Sequence, residues 1–250
     1  MAVPPIVVPN RFRVIAHRGA SGYAPENTLA AFRLAREMGA REVELDVQLS
    51  ADGVVVVCHD ITLERYGYGE VVVEDMDSRK LLSLDMGTWF SPRFAGERMA
   101  TLRGLFEEFR DEFTWHVEIK GEGKGLEDAV AGLIGEFRLA ERVVVTSFDP
   151  CSLNRMYDAD PKLRRGWLLN MLHASVIEDA GRAGLFQLCP SAEHVTREDV
   201  AAAKRVVREV RAWGLSGTPE HVRELIHRVV DAGCDGMTID RPDWARHETH

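Results

Sequence analysis

The sequence predicts one (β/α)8 barrel, a TIM barrel distorted by a small insertion. Short apolar segments alternate with segments long enough for a helix, which is typical of a parallel sheet covered by helices. The chain contains about eight such units and no Gly-rich dinucleotide-binding fingerprint, so a closed barrel is favoured over an open doubly wound sheet. Because 250 residues is a usual length for one barrel, we expect residues 1–250 to form a single domain.

The first unit joins a short strand to an amphipathic helix. The apolar segment 13–17 is followed by "PENTLAAFRLAREMG", and Gly39 is a natural helix stop. We expect Pro25 and Glu26 to begin this helix. The stripe predicted to face the sheet consists of Ala31, Leu34, Ala35 and Met38.

The later units repeat this order. The last helix has Thr218 as its N-cap, Pro219 in its first turn and Gly233 as its stop. The remaining strand candidates are residues 41–49, 54–59, 114–120, 142–148, 164–169, 185–189, 205–213 and 234–239.

One interval interrupts the alternation. Residues 60–101 are rich in glycine, aromatic and acidic residues and lack a long amphipathic stripe. We expect a small insertion folded over one end of the barrel. Its aromatic side chains could roof a pocket or form a small satellite core, and they are Tyr66, Tyr68, Trp89, Phe90 and Phe94.

Composition excludes several classes of partner. The 40 acidic residues outnumber the 31 basic ones, giving a net charge of −9, which disfavours nucleic acid and anionic membrane surfaces. No apolar run is long enough for a membrane helix. The four cysteines form no Cys-x-x-Cys pair and indicate reduced thiols rather than a zinc site or disulfides. Since the N-terminus lacks signal-peptide features, we expect a cytoplasmic protein.

The strand at 41–49 carries an acidic face. Its side chains alternate, so that valine and leucine lie on one face while Glu44 and Asp46 lie on the other. The two carboxylates are then roughly 7 Å apart at Cα. A solvated edge strand would show the same pattern, but the next segment favours an inward-facing acid pair.

A predicted hairpin brings a histidine to this pair. The dipeptide Asp-Gly at 52–53 stands between two strand-like segments, which is a strong hairpin signal. A two-residue loop at 51–52 places His59 opposite Glu44, whereas a loop at 52–53 places it opposite Asp46. In either register the imidazole lies about 5 Å at Cβ from a carboxylate.

A third strand repeats the polar face. In "TWHVEIK", His116, Glu118 and Lys120 alternate with apolar residues, and a Gly-rich loop follows. Because an inward-facing Glu and Lys are costly to bury without partners, we place them at the carboxyl-terminal mouth of the barrel, where barrel enzymes have their sites. His116 lies deeper and is expected to be a satisfied core histidine.

These residue types together indicate phosphodiester cleavage. Three converging carboxylates repel one another unless a hard divalent cation, Mg²⁺ or Ca²⁺, is bound between them. Arg18 and Lys120 are suitable donors for a phosphate. His17 and His59 can supply one general acid and one general base.

At these positions the sequence resembles the glycerophosphodiester phosphodiesterases. The stretches "HRGASGYAPENTLAAF", "EVELDVQLSADGVVVVCHD" and "HVEIK" carry the resemblance, and "SFDP" and "GCDGMTIDRPD" extend it from about residue 13 to 243. It implies a distorted (β/α)8 barrel and metal-dependent hydrolysis of glycerophosphodiesters, such as glycerophosphocholine or glycerophosphoethanolamine, to sn-glycerol 3-phosphate and an alcohol. The implied roles are one divalent cation on Glu44, Asp46 and Glu118, acid/base catalysis by His17 and His59, a phosphate grip by Arg18, and phosphate or glycerol contact by Lys120.

Two stretches depart from the family pattern. Ala100 replaces a common proline, and "WGLSG" stands where a Trp-Thr-Val-Asn-like stretch is usual. Trp213 is kept and is expected to line the substrate pocket, but Gly214 and Ser216 alter the polar groups beside it. Two alternatives remain: a lipid-cleaving enzyme of the lysophospholipase D type, and a catalytically silent binding barrel.

Overall fold

A computed structural model describes residues 5–247. Its strands in chain order are β1 (Ile6–Val8), β2 (Arg13–His17), β3 (Glu42–Leu49), β4 (Val55–Val57), β5 (Ala100–Thr101), β6 (Thr114–Ile119), β7 (Val143–Ser147), β8 (Arg164–Leu169), β9 (Gln187–Pro190), β10 (Glu209–Leu215), β11 (Gly236–Ile239) and β12 (Ala245–His247). Its helices are α1 (Leu29–Glu37), α2 (Ser78–Leu81), α3 (Leu102–Phe109), α4 (Leu126–Phe137), α5 (Pro150–Ala159), α6 (Ala174–Arg182), α7 (Arg197–Ala203) and α8 (Pro219–Asp231).

Eight parallel strands close into a ring. Their order is β2, β3, β6, β7, β8, β9, β10 and β11, and β11 pairs back with β2. The predicted closed barrel with helices between its strands is therefore confirmed. The seventh strand begins later than expected, because residues 205–208 form the turn after α7 and the sheet starts at Glu209.

The first helix also starts later than predicted. Thr28 is its N-cap, and Pro25 and Glu26 belong to the loop before it. Asn27 adopts φ +59° and donates its N–H to the carbonyl of Arg18, a conformation that a helix cannot include. Met38, expected on the buried stripe, is exposed, and Phe32 is buried in its place.

The hairpin after β3 has neither of the two predicted registers. Val47 pairs with Val57, and Ser50 donates its N–H to the carbonyl of Val54, so the loop contains three residues. Gly53 adopts φ +83°, as expected where a tight turn ends in a left-handed residue. His59 therefore lies beyond the paired part of β4.

The segment between β4 and β5 packs on the hairpin with its own apolar core. That core contains Val56, Cys58, Leu63, Tyr66, Val73, Leu81, Met86 and Met99. Trp89 contacts Tyr66 edge-on with ring centroids 5.5 Å apart. Tyr66, with Tyr68 and Trp89 packed against it, thus contributes to a satellite core, the second of the two predicted possibilities. Phe90 and Phe94 extend from Trp89 by edge-on ring contacts.

The alternation of β3 positions the functional groups. Val43, Leu45 and Val47 are buried against the helices, so the polar side chains between them point into the barrel. At the amino-terminal end the interior charges pair, with His116 Nε2 lying 2.9 Å from Glu42 Oε2. Within residues 5–247, no helix is both long and apolar enough to cross a membrane.

Candidate active site

A cavity of about 200 Å³ opens at the carboxyl ends of the barrel strands. This is the end at which barrel enzymes carry out their chemistry. Barrel strands and the loops that follow them contribute its polar lining, which includes His17, Arg18, Glu44, His59, Glu118 and Lys120. These side chains selected from the sequence therefore share one cavity, and the Asp46 carboxylate lies within 4.8 Å of those of Glu44 and Glu118.

Three buried carboxylates form a cluster that could hold a metal ion. One oxygen from each of Glu44, Asp46 and Glu118 lies within 4.8 Å of the other two. Glu44 Oε1 and Asp46 Oδ1 are buried without a hydrogen-bond partner. Burial and the neighbouring Asp46 charge raise the pKa of Glu44 to about 7, and the same causes raise the pKa of Glu118. Orphaned, mutually repelling oxygens fit a hard divalent cation.

Asp46 is stabilised as an anion by its neighbours. Asn27 Nδ2 donates to Asp46 Oδ2 at 2.9 Å, and Arg18 Nε lies 3.1 Å from the same oxygen. Although burial raises the pKa of Asp46, the charges of Arg18, His59 and Lys120 outweigh it, so the net shift is downward. The left-handed turn at Asn27 before α1 therefore serves the site directly.

His17 ends the first barrel strand and is oriented by Asp240, a carboxylate outside the cluster. Its Nδ1 lies 2.6 Å from Asp240 Oδ1, and its Nε2 lies 3.8 Å from Glu44 Oε2. Burial lowers the pKa of His17, but the hydrogen bond with Asp240 and the charge of Glu44 raise it more. The ring is thereby fixed with Nε2 directed toward the acid cluster.

His59 reaches the cavity from the loop after β4. Its Nδ1 lies 2.7 Å from Asp60 Oδ1. Gln48 Nε2 donates to the carbonyls of Cys58 and Asp60, at 2.9 and 2.8 Å, and so fixes the backbone on both sides of the histidine. Burial is the main cause that lowers the pKa of His59. The carboxylate that contacts the ring is therefore Asp60, and the predicted ladder position opposite Glu44 or Asp46 is not formed.

Arg18 turns the chain out of the strand. It adopts φ +54° and Gly19 adopts φ +80°, so two successive left-handed residues bring the arginine to the same cavity as His17. A side chain at Gly19 would also collide with the backbone of Ala31 at 2.6 Å. Arg18 donates its backbone N–H to Glu44 and Nη1 to Glu26, at 3.1 and 2.9 Å.

The opposite wall combines a lysine with aromatic rings. Lys120 Nζ lies 2.6 Å from Glu118 Oε1 and 5.4 Å from the ring centre of Phe148. Phe148 contacts Trp213 edge-on at 5.1 Å. Trp213 donates Nε1 to the carbonyl of Leu169, and Gly214 follows it with φ +83° at a β-bulge. Trp213 thus lines the cavity as expected.

The sequence interpretation missed several supporting residues. Asp240 follows the last barrel strand, where a functional residue is expected. Arg211 alternates with Trp213 along β10 and is buried at the cavity with Nε unpartnered, so the alternation used for β3 could have found it. Phe148 had no comparable signal.

Comparison with known proteins gives a consistent result. The glycerophosphoryl diester phosphodiesterase family matches residues 17–244. A glycerophosphodiester phosphodiesterase of Caldanaerobacter subterraneus is 36% identical over 234 residues, covering 92% of this chain and 94% of the relative. A second, from Bacillus subtilis, is 29% identical and covers 95% and 86%.

Solved structures share the fold. An Oleispira antarctica phosphodiesterase in complex with the product sn-glycerol-3-phosphate has a TM-score of 0.80 at 27% identity, covering 94% of both chains. The glycerophosphodiester phosphodiesterase of Agrobacterium tumefaciens has a TM-score of 0.78 at 27% identity, covering 93% and 98%. This chain therefore belongs to the glycerophosphoryl diester phosphodiesterase family and is an enzyme, a phosphoric diester hydrolase.

Proposed function

We propose that the enzyme hydrolyses small glycerophosphodiesters to sn-glycerol 3-phosphate and an alcohol with the help of one divalent cation, Mg²⁺ or Ca²⁺. The observation that carries the proposal is the cluster of Glu44, Asp46 and Glu118, whose buried oxygens lack enough protein partners. These residues would hold the cation, which would supply positive charge to the reacting phosphate when bound.

His17 and His59 are proposed as the acid/base pair. In both rings Nδ1 pairs with a carboxylate, Asp240 and Asp60 respectively, which leaves Nε2 for the substrate. Their pKa values are shifted in opposite directions, upward for His17 and downward for His59. Such divergence suits a pair in which one ring donates a proton while the other accepts one.

Arg18, Lys120 and Trp213 are proposed to bind the substrate. The two cations approach different oxygens of Asp46, with Arg18 Nε 3.1 Å from Oδ2 and Lys120 Nζ 4.0 Å from Oδ1. They can stabilise the additional negative charge of a phosphoryl transition state. Trp213 and Phe148 form the apolar part of the cavity, where we place the glycerol or the head group.

The nucleophile is either a water molecule or the 2-hydroxyl of the glycerol. The internal route passes through a cyclic phosphate and needs no second molecule to be positioned. A substrate analogue lacking the 2-hydroxyl separates the two. Turnover of that analogue at an undiminished rate would exclude the internal route.

The central test measures glycerol 3-phosphate released from glycerophosphocholine and glycerophosphoethanolamine. We expect release to stop after chelation and to return with Mg²⁺ or Ca²⁺, whereas metal-independent turnover would contradict the carboxylate assignment. A parallel assay with micellar lysophosphatidylcholine tests the lipid-cleaving alternative. The net charge of −9 favours the water-soluble substrate. A cytoplasmic location is also proposed, in line with the reduced cysteines.

A further inference from the structure

We propose that Arg65, contributed by the insertion, is a positioning residue that couples Arg18 to His59. This inference rests on the proposed function of those two residues. Arg65 lies in a short turn of 3-10 helix, Glu64–Tyr66, and belongs to neither the carboxylate cluster nor the residues that line the cavity within the described part of the chain. It acts through two carboxylates. Glu26 holds Arg18, the proposed phosphate-binding residue, and Asp60 holds His59, a proposed acid/base group.

One side of the guanidinium binds the partner of Arg18. Arg65 Nη1 donates to Glu26 Oε2 at 2.9 Å, and Nη2 donates to Glu26 Oε1 at 2.6 Å. This is the two-point geometry that fixes a carboxylate in orientation as well as position. Glu26 Oε1 also accepts from Arg18 Nη1 at 2.9 Å. The two arginines therefore share this carboxylate through Oε1, and of the two it is Arg18 that lines the cavity.

Nε of the same guanidinium group binds Asp60, the carboxylate partner of His59. Arg65 Nε donates to Asp60 Oδ2 at 2.7 Å, while the other oxygen of Asp60 lies 2.7 Å from His59 Nδ1. A continuous chain of charge-assisted contacts thus runs from Arg18 through Glu26, Arg65 and Asp60 to His59. Arg65 is its central link, and it donates from two edges of its planar guanidinium group, which a lysine cannot reproduce.

The insertion holds this arginine rigidly. The guanidinium carbon of Arg65 lies 5.0 Å from the ring centres of both Tyr66 and Trp89, and Nη2 also donates to the Tyr66 hydroxyl at 3.0 Å. Tyr66 belongs to the satellite core. The side chain of Glu26 is 10% exposed and that of Arg65 is 33% exposed, so the pair is partly shielded from solvent, unlike a fully exposed ion pair. The satellite core thereby has a function in the active site.

A coupling role differs measurably from a purely structural one. If Arg65 only anchored the insertion, its loss would lower the melting temperature but leave kcat and KM of the folded enzyme unchanged. If it positions both groups, its loss should raise KM through Arg18 and lower kcat through His59. Supporting residues around a metal site typically contribute about 10- to 100-fold in activity. We expect that range in kcat/KM for Arg65→Met.

The decisive experiment is a pair of double-mutant cycles measured with glycerophosphocholine. Glu26→Gln and Asp60→Asn are combined first in the enzyme with Arg65 and then in Arg65→Met. With Arg65 present, we expect kcat/KM of the double variant to differ by about three-fold or more from the product of the single effects. Without Arg65, the two effects should multiply to within about two-fold. Equal behaviour in both backgrounds would overturn the coupling.

Three controls complete the design. Arg93→Met removes another insertion arginine, which donates to the Tyr23 carbonyl at 2.7 Å and packs on Phe94, and we expect its kcat and KM to stay within about two-fold of wild type. Arg65→Lys keeps the charge if Arg65→Met fails to fold, and it should still lose the coupling. Titration with Mg²⁺ and Ca²⁺ should give unchanged affinity in both Arg65 variants.

The outcomes separate this inference from the proposed function. Wild-type kcat and KM in Arg65→Met and Arg65→Lys, with an active wild-type enzyme, would refute the positioning role alone. An inactive wild-type enzyme on every glycerophosphodiester would instead refute the proposed function. A loss of metal affinity in the Arg65 variants would show that the residue supports the cation site rather than Arg18 and His59.

Discussion

Replacing Glu44 by glutamine should stabilise the metal-free protein and remove its stabilisation by metal. The substitution keeps the shape of the side chain and an oxygen for the backbone N–H of Arg18. It removes a charge that is buried beside Asp46. Replacing an ordinary surface carboxylate would neither stabilise the metal-free protein nor remove its stabilisation by metal. Both results together therefore identify a metal ligand whose charge destabilises the protein when no cation is bound.

The magnitude follows from the pKa of Glu44, which burial and Asp46 raise from 4.5 to about 7. Because this carboxyl group binds its proton more tightly in the folded protein than in the unfolded chain, the folded protein loses stability as the pH rises from 4.5 to about 7. The full loss of folding free energy applies above about pH 7. Glu44 is 3% exposed, so solvent screens little, and the shift corresponds to about 3 kcal/mol. Metal at 100 times its Kd would stabilise the wild type by about 2.7 kcal/mol.

The assay is thermal unfolding at pH 8 and pH 5, with chelator and with excess Mg²⁺ or Ca²⁺. For a chain of this length we expect metal-free Glu44→Gln to melt roughly 6–12 °C above wild type at pH 8, and the difference should shrink to roughly a quarter of that at pH 5. Metal should raise the melting temperature of the wild type only. Glu37→Gln, on the exposed face of α1, is the control. A metal-free variant that melts at or below wild type at pH 8 would refute the electrostatic reasoning.

Three further predictions test other parts of the molecule. His17→Ala should abolish turnover while metal still binds, measured by activity and calorimetric titration, and loss of metal would contradict its assignment. Trp213→Ala should raise KM more than it lowers kcat, because the ring lines the cavity beside Phe148; an effect on kcat alone would argue against substrate contact. Asp52, whose pKa the backbone N–H and hydroxyl of Ser78 lower to about 2, should stabilise the fold at neutral pH. Urea unfolding should show that the deficit of Asp52→Asn shrinks between about pH 4 and pH 2, whereas a constant deficit would exclude the charge as its cause.

The faces of the barrel strands could be predicted because they depend only on backbone geometry. Side chains alternate along any strand, so the apolar set of β3 predicted where Glu44 and Asp46 point, and the same reasoning placed Glu118 on β6. Parallel pairing brings Asp46 level with Glu118. Three residues from two segments were therefore correctly expected to lie together.

The hairpin register could not be predicted with the same reliability, since it depends on one turn residue. The left-handed conformation of Gly53 lengthens the loop by one residue relative to the predicted turns, and a shift of one residue reverses the face of every side chain on the strand. His59 nevertheless reaches the cavity because it lies after β4, where Gln48 holds the loop. The structure brings His59 to the cavity, but the carboxylate it contacts is Asp60 and not the expected Glu44 or Asp46.

The supporting carboxylates depend on how the ring closes, which no local pattern encodes. His17 and Asp240 are 223 positions apart, yet they meet because β11 pairs with β2 and Ile239 lies beside Ala16. His17 directly follows Ala16, and Asp240 directly follows Ile239, so both lie where the first and last barrel strands pair. The contact that orients His17 can therefore form only in the closed barrel. Orientation of this proposed catalytic group therefore depends on the pairing of the first and last barrel strands.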